Sequence, residues 1–216
     1  AVFSYYQSDE ISILFTDFET NTKQQLYDGK IQKITSISAS MATAHFNKLR
    51  LDREFKAAGG DMKVLFDGMY DYMDANQAMF DSRVFVVPDP DEVMNVFWWR
   101  QKDASKNSIS MACYANFSHK QVEGKNSSEK QDMLFKECGI NWNDYDVVFK
   151  RGVVIKKEKF LKNGAERSRW AMDEAPIFSQ DWSYLSSLIP VYNANLFKTE
   201  KERELFNEKR TIKVHE

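Results

Sequence analysis

Cysteine is nearly absent: Cys113 and Cys138 are the only two in 216 residues, and they stand far apart with no CxxC pair. That excludes a disulfide framework and a thiolate zinc site, and it suits a reducing compartment. Histidine is scarce as well, with three in the chain, and His45 has no second histidine at metal-ligand spacing. No apolar run approaches the length of a membrane span and no signal peptide is visible, so the cytoplasm is the expected location. A net charge of −2 gives no global attraction for nucleic acid. Any RNA contact must therefore come from a local basic patch. Internal repeats and low-complexity segments are also missing, and the chain begins at Ala1 without an initiator methionine.

What is present is an ordinary globular balance, 43% hydrophobic and 29% charged, in a chain long enough for one generous domain or two small ones. Aromatic residues reach 14%, with Trp98 and Trp99 adjacent. They serve a large core or a surface on which bases stack, and composition leaves both open.

The opening stretch AVFSYYQSDEIS reads as a tight β-hairpin. Val2–Tyr6 is rich in aromatic and β-branched residues, Ile11, Ile13 and Phe15 alternate with Ser12 and Leu14, and only Gln-Ser-Asp-Glu separates the two runs. Its tip carries Asp9 and Glu10, which are either a solvated turn or a place where a cation is held. Periodicity then predicts a helix from about Asp28 to Leu49, with Ile31, Ile34, Ser38, Met41 and His45 on one stripe. Gly59-Gly60 lacks the Lys-Ser/Thr of a phosphate loop and reads as a turn, and MKVLFDGMYDYMDAN reads as a short strand followed by a turn or helix.

Val84–Val87 reads as a strand stopped by Pro88. Asp89 is a good N-cap, Pro90 fits the first helical position and Glu92 completes a capping-box pattern, so a helix is expected from Pro90 to about Asn116. Its inward stripe of Val93, Val96 and Phe97 turns polar at Arg100, Asp103 and Asn107. Buried polar groups need partners, so this is an internal Arg100–Asp103 pair on a solvated half or the wall of a polar cleft. A short helix beginning near Ser127 or Ser128 and capped by Gly139 follows, then a strand over Phe149–Ile155. The basic cluster Lys150, Arg151, Lys156, Lys157, Lys159, Lys162, Arg167 and Arg169 comes next, a solvated face or a phosphate-backbone patch. An apolar segment over Trp182–Ile189 and a polar, helical tail complete the chain. The order of elements predicts an α+β layered fold, with a mainly antiparallel sheet and helices packed on one face.

Four strings in order, YYQSDEISILF, FDSRVFVVPDPDEVMNVFWWRQKDASKNSIS, HKQVEGKNSSEKQ and GINWNDYDVVFKRGVVI, resemble the tRNA(His) guanylyltransferase-like family, more closely its bacterial and phage-type members. The resemblance covers about residues 2–155, with a weaker echo in PIFSQDW and SSLIP. It implies a polymerase-like palm over 1–155 and a basic C-terminal extension over 156–216. It also implies a 3′–5′ nucleotidyltransferase that adds guanylate, or other nucleotides, to the 5′ end of tRNA or a tRNA-like RNA. ATP and GTP would be partners, two Mg²⁺ ions cofactors, and a homo-oligomer, tetrameric in the family, the assembly. Phosphoryl transfer suits such a site because it needs charge neutralisation and in-line positioning more than covalent help.

Residue by residue, the resemblance makes Asp9 the metal ligand on the hairpin, with Glu10 beside it in the catalytic centre. Ser8, Asn107 and Lys130 would bind nucleotide. Arg83, Arg100, Asn143, Lys150 and Arg151 would contact RNA, and Gln101 and Asp103 match the same helix motif. Two departures stand out. Ser105 occupies the place of the histidine in the eukaryotic helix motif, which favours template-dependent 5′-end repair over a role confined to tRNA(His). The family's Asp-Gly-Arg-x-Phe segment, source of the other metal carboxylate, has no counterpart, since Asp28-Gly29 and Asp67-Gly68 lack the rest of it. The first carboxylate would then come from a segment outside this sequence or from another chain, or the protein would be a catalytically inactive palm kept for RNA binding or assembly.

Overall fold

The structure, a computed structural model, describes residues 1–20, 23–57, 59–60, 77–191 and 204. The chain divides into two compact units, one formed by Ala1–Glu19 with Val87–Ala194 and the other by Thr20–Val86 with Asn195–Glu216. The expected boundary between 155 and 156 falls inside a strand of the first unit. The expected strand and turn within 61–76 lie outside the described residues, as does nearly all of the tail.

The first unit is built on a four-stranded antiparallel sheet, β1 (Phe3–Gln7), β2 (Glu10–Leu14), β3 (Val153–Lys162) and β4 (Ala165–Glu174), in the order β2-β1-β3-β4. Alternation along β1 buries Phe3, Tyr5 and Gln7 on one face. On that face Phe3 meets Phe97 of a long helix (centroids 4.5 Å apart) and Tyr5 meets Phe178 (5.5 Å). Val93, Val154, Leu185 and Ile189 complete the core, so the helices do pack on one face of an antiparallel sheet, an α+β arrangement. On the opposite face Ile11, Ile13 and Met172 are exposed.

The long helix, residues Pro90–Tyr114, starts as its sequence dictates: the Asp89 carboxylate accepts from the Glu92 amide at 2.8 Å and Pro90 takes the first turn. Short helices His119–Val122 and Ser127–Cys138 fold over its C-terminal half around Cys113, Val122 and Leu134. The second of these has Asn126 and Glu129 as a capping box, and Gly139 closes it in the left-handed conformation at φ +67°. Helices Val147–Arg151 and Trp182–Leu188 complete the unit. We number the α-helices of the described residues in chain order: α1 (Ile31–Ala57, in the second unit), α2 (Pro90–Tyr114), α3 (His119–Val122), α4 (Ser127–Cys138), α5 (Val147–Arg151) and α6 (Trp182–Leu188).

Two expected strands are corrected. Phe149–Ile155 divides into α5 and the start of β3 because Gly152 breaks it, at φ +79°. A Cβ at Gly152 would stand 2.4 Å from the Tyr6 carbonyl oxygen and 2.8 Å from Gln7 Cβ, so only glycine lets β3 begin against β1 there. Val84–Val87 is irregular, with Phe85 and Val86 exposed. In the second unit, side chains of α1 engage the segment just before it: Asn47 exchanges two hydrogen bonds with the Ala78 backbone, and Thr43 Oγ1 accepts from the Phe80 amide. Phe46 packs edge-on against Phe80 and Ser38 bonds Ser82. Those contacts, rather than a ladder, fix this stretch, and Met41 and His45 of the predicted stripe are exposed. Among the described residues no helix is long and apolar enough to cross a membrane.

Candidate active site

The hairpin connection is two residues long, since Gln7 pairs with Glu10 in the β1–β2 register. Ser8 takes φ +56°, the positive value that tight hairpin turns demand at their first central position. Gln7 anchors the turn from below: it is buried, and its amide nitrogen donates to the Phe149 carbonyl of α5 at 3.4 Å. Tyr5 adds a second tie, donating to the Arg151 carbonyl at 2.7 Å. Burial pushes the Tyr5 phenol well above its ordinary range, with the Glu10 carboxylate adding to the rise.

The turn opens onto a cavity of about 380 Å³ between itself and α2, lined by Ser8, Asp9, Glu10, Asn107, Ser110 and Tyr114 among others. Its α2 wall follows helical spacing, because Ala104, Asn107, Met111 and Tyr114 recur every three to four residues on one stripe. Thus Ser8, Asp9, Glu10 and Asn107, four of the residues singled out in the sequence, line one cavity.

Arg100 completes the hairpin side. Its Nη1 donates to both oxygens of Glu10 at 3.2 and 3.3 Å, which replaces the expected Arg100–Asp103 pair. Both partners are substantially exposed, at 43% and 60%, so the pair contributes at most about 1 kcal/mol and serves mainly to fix Glu10. Asp103 instead accepts from the Asn107 amide at 3.3 Å. Asp9 makes no hydrogen bond or ion pair among the described residues, which leaves its carboxylate available to a ligand. On the far side Lys130 reaches across from α4, donating to Ser110 Oγ at 3.0 Å and lying over the Tyr114 ring.

The remaining sequence candidates are placed otherwise. Arg83 belongs to the second unit and pairs with Asp81 at 3.3 Å. Asn143 sits on a short 3-10 turn, its amide nitrogen bonded to Asn141. Lys150 is only 8% exposed; its ammonium donates to the Asn143 carbonyl and lies over the Trp142 ring. Its ammonium is thus directed inward, at partners of its own chain. Arg151 is half-buried with Nε directed at the Ala175 carbonyl at 3.5 Å. Gln101 is buried and clamps a loop through Pro176 and Phe178, at 2.7 and 2.8 Å. Ser110 and Tyr114 escaped the sequence reading, although their spacing from Asn107 could have marked them as the same stripe as Met111.

Comparison with known proteins bears on this arrangement. A family model described as tRNAHis guanylyltransferase matches residues 1–88, and one described as the Thg1 C terminal domain matches 91–215. The chain belongs to the tRNA(His) guanylyltransferase family. Among solved members, a bacterial Thg1-like protein in complex with ATP is 45% identical, with a TM-score of 0.68 over 87% of this chain and 70% of its own. A bacterial Thg1-like protein in complex with GTP is 42% identical, with a TM-score of 0.63 over 88% of this chain and 69% of its own. The guanylyltransferase of Candida glabrata is 26% identical over 71% of this chain and 62% of its own length. The chain thus spans about 60% of the length of the Candida glabrata and Debaryomyces hansenii guanylyltransferases. The α+β layering built above is that of the guanylyltransferase palm.

Proposed function

We propose that the protein is a nucleotidyltransferase that uses ATP or GTP to add nucleotides, guanylate in particular, to the 5′ end of tRNA or a tRNA-like RNA in the 3′–5′ direction. The carrying observation is the cavity in which the unpartnered Asp9 carboxylate, Ser8 and Asn107 converge. A nucleoside triphosphate needs such a mixture: donors for phosphate oxygens, and an acid where a phosphate-bound cation can be shared. In the reaction the 3′ hydroxyl of the incoming nucleotide attacks the activated 5′ phosphate of the RNA. A new phosphodiester forms, and the activating phosphate or nucleotide departs. Ser8 and Asn107 would orient phosphate oxygens, and Lys130 would leave Ser110 to meet a phosphate. Arg100 holds Glu10 back from the cation, so that Asp9 presents the free acid.

The residues fit Mg²⁺, which asks for one or two carboxylates and takes its other ligands from phosphates and water. Asp9 would hold it, and when bound it would neutralise charge on the triphosphate. Among the described residues no group of three or more acidic, histidine or cysteine side chains is placed to hold a metal. The pair of ions expected from the family therefore needs an acid beyond Asp9. RNA would be met by the β3–β4 ribbon, which runs past its pairing with β1 at Lys156 and carries Lys157, Lys159, Lys162, Arg167 and Arg169.

The test measures nucleotide addition to a 5′-truncated tRNA alongside RNA affinity. Asp9→Asn is expected to lower the addition rate by about a hundredfold or more while RNA affinity holds. Full activity in Asp9→Asn overturns the role of Asp9. RNA binding without any addition by the unaltered protein favours the binding-only reading, which is supported by Asp9 being the one unpaired acid that lines the cavity among the described residues.

A further inference from the structure

We infer that Tyr114 is a stacking platform for the nucleobase of the triphosphate, so that the cavity takes phosphates at one end and the flat face of a purine at the other. The inference rests on the reading of this cavity as a nucleotide site. Its two ends differ in chemistry: Ser8, Asp9 and Asn107 supply polar and charged groups, whereas Met111 and Tyr114 present carbon-rich surface. Met111 is 60% and Tyr114 48% exposed, although their chain neighbours Ala112 and Cys113 are buried against α3 and α4. Core packing therefore does not account for the Tyr114 ring. A cavity that is charged at one end and aromatic at the other matches a ligand built the same way, and a nucleotide is one. The base that reaches this ring belongs to the molecule whose phosphates lie near Asp9, because both ends open into one cavity.

The ring is fixed before any ligand arrives. His119 stacks on it, with centroids 5.7 Å apart and planes 9° from parallel. His119 is itself set at the start of α3, where the Ser118 amide donates to Gln121 Oε1 at 3.0 Å. An aromatic side chain held in place beforehand loses little freedom on binding. The Lys130 ammonium lies over the same ring, 5.9 Å from its centroid, while donating to Ser110 Oγ at 3.0 Å. Once Lys130 turns to a phosphate, the ring surface beneath it is open to a base. The spacing along α2 agrees: Tyr114 stands two turns, about 10.5 Å, beyond Asn107 and on the same side of the helix, with Ser110 between them. A nucleotide lying along α2 thus sets its phosphates near Asn107, its ribose near Ser110 and its base on Tyr114. Stacking selects by ring area and leaves the hydrogen-bonding edge of the base unread, since every base has a π-face. Adenine and guanine are therefore held alike, and both more tightly than uracil.

The experiment titrates the full chain, with Mg²⁺ and without RNA, with 2-aminopurine riboside triphosphate, whose emission is quenched when its base stacks. Inorganic tripolyphosphate, which has no base, is titrated alongside by calorimetry. The unaltered protein is expected to quench the emission on binding. Tyr114→Ala should lower nucleotide affinity by roughly tenfold to a hundredfold while its tripolyphosphate affinity holds. Tyr114→Phe, which restores the ring, should restore the nucleotide affinity, and Asp9→Asn should weaken nucleotide and tripolyphosphate together. Nucleotide bound by Tyr114→Ala as tightly as by the unaltered protein, or bound by the latter without quenching, overturns the inference and leaves the nucleotide site standing. A loss of tripolyphosphate affinity in Tyr114→Ala equal to its loss of nucleotide affinity makes the ring a structural support and overturns the inference as well. No binding of either probe by the unaltered protein overturns the site and the inference with it.

Discussion

At the scale of single residues, chemistry and support are divided between neighbours with similar side chains. Asp9 and Glu10 are adjacent acids, yet Arg100 occupies one and leaves the other to a ligand. Lys130 and Lys150 are both lysines in motif strings, yet only Lys130 reaches the cavity wall. Lys150 is turned inward: its buried ammonium donates to the Asn143 carbonyl and lies over Trp142. Lys150→Ala is therefore expected to cost about 1–3 kcal/mol of unfolding free energy, because it strands a buried acceptor. It should leave the salt dependence of RNA binding unchanged; denaturant melts and binding titrations check the two parts. A normal melt with a shallower salt slope would instead make Lys150 a phosphate contact. Sequence could not separate the two lysines, since burial is a property of what α5 packs against.

At the scale of elements, the hairpins divide the work. The β1–β2 turn is short and held through Gln7 and Tyr5, which suits a positioned acid. The β3–β4 ribbon is long, and Lys162 and Arg167 on it have no ion pair among the described residues, while Lys159 pairs with Glu166 and Arg169 with Glu158. Replacing Lys162 and Arg167 with alanine should weaken binding to tRNA uniformly across sequences. It should also make the slope of log K against log salt shallower, by roughly one for each phosphate that is no longer neutralised. Fluorescence anisotropy over a salt series measures both, and an unchanged slope would take RNA off the ribbon. The ends of α2 and α4 were legible beforehand, because Asp89-Pro90 and Asn126 through Gly139 act locally. Val84–Val87 was not, because its β-branched residues describe a strand whose neighbours are already tied to α1.

At the scale of the whole molecule, alkaline stability reports on the core beneath the site. Burial, aided by Asp173, pushes the Tyr184 phenol up to about 12, and Tyr5 rises further in the same direction. Both phenols ionise near pH 10 in the unfolded chain, so their contribution is complete below pH 10. It is lost as pH rises from there toward the folded values, where the unfolded state holds fewer protons. Urea unfolding is expected to show stability falling between about pH 10 and 12, with a smaller fall in Tyr184→Phe. An equal fall in that variant would mean that Tyr184 is not a source of it.

The sequence alone determined what depends on neighbours a few residues away. It specified a tight hairpin with adjacent acids at its tip, the capped starts of α2 and α4, the polar half of the α2 stripe and, through four ordered strings, the family. Only the tertiary structure decided which acid stays free, which lysine is buried, where β3 begins and how far the basic ribbon projects. Those outcomes follow from contacts between residues distant in the chain, such as Arg100 with Glu10 and Gly152 with Tyr6, whose approach is set by packing and carries no local signature.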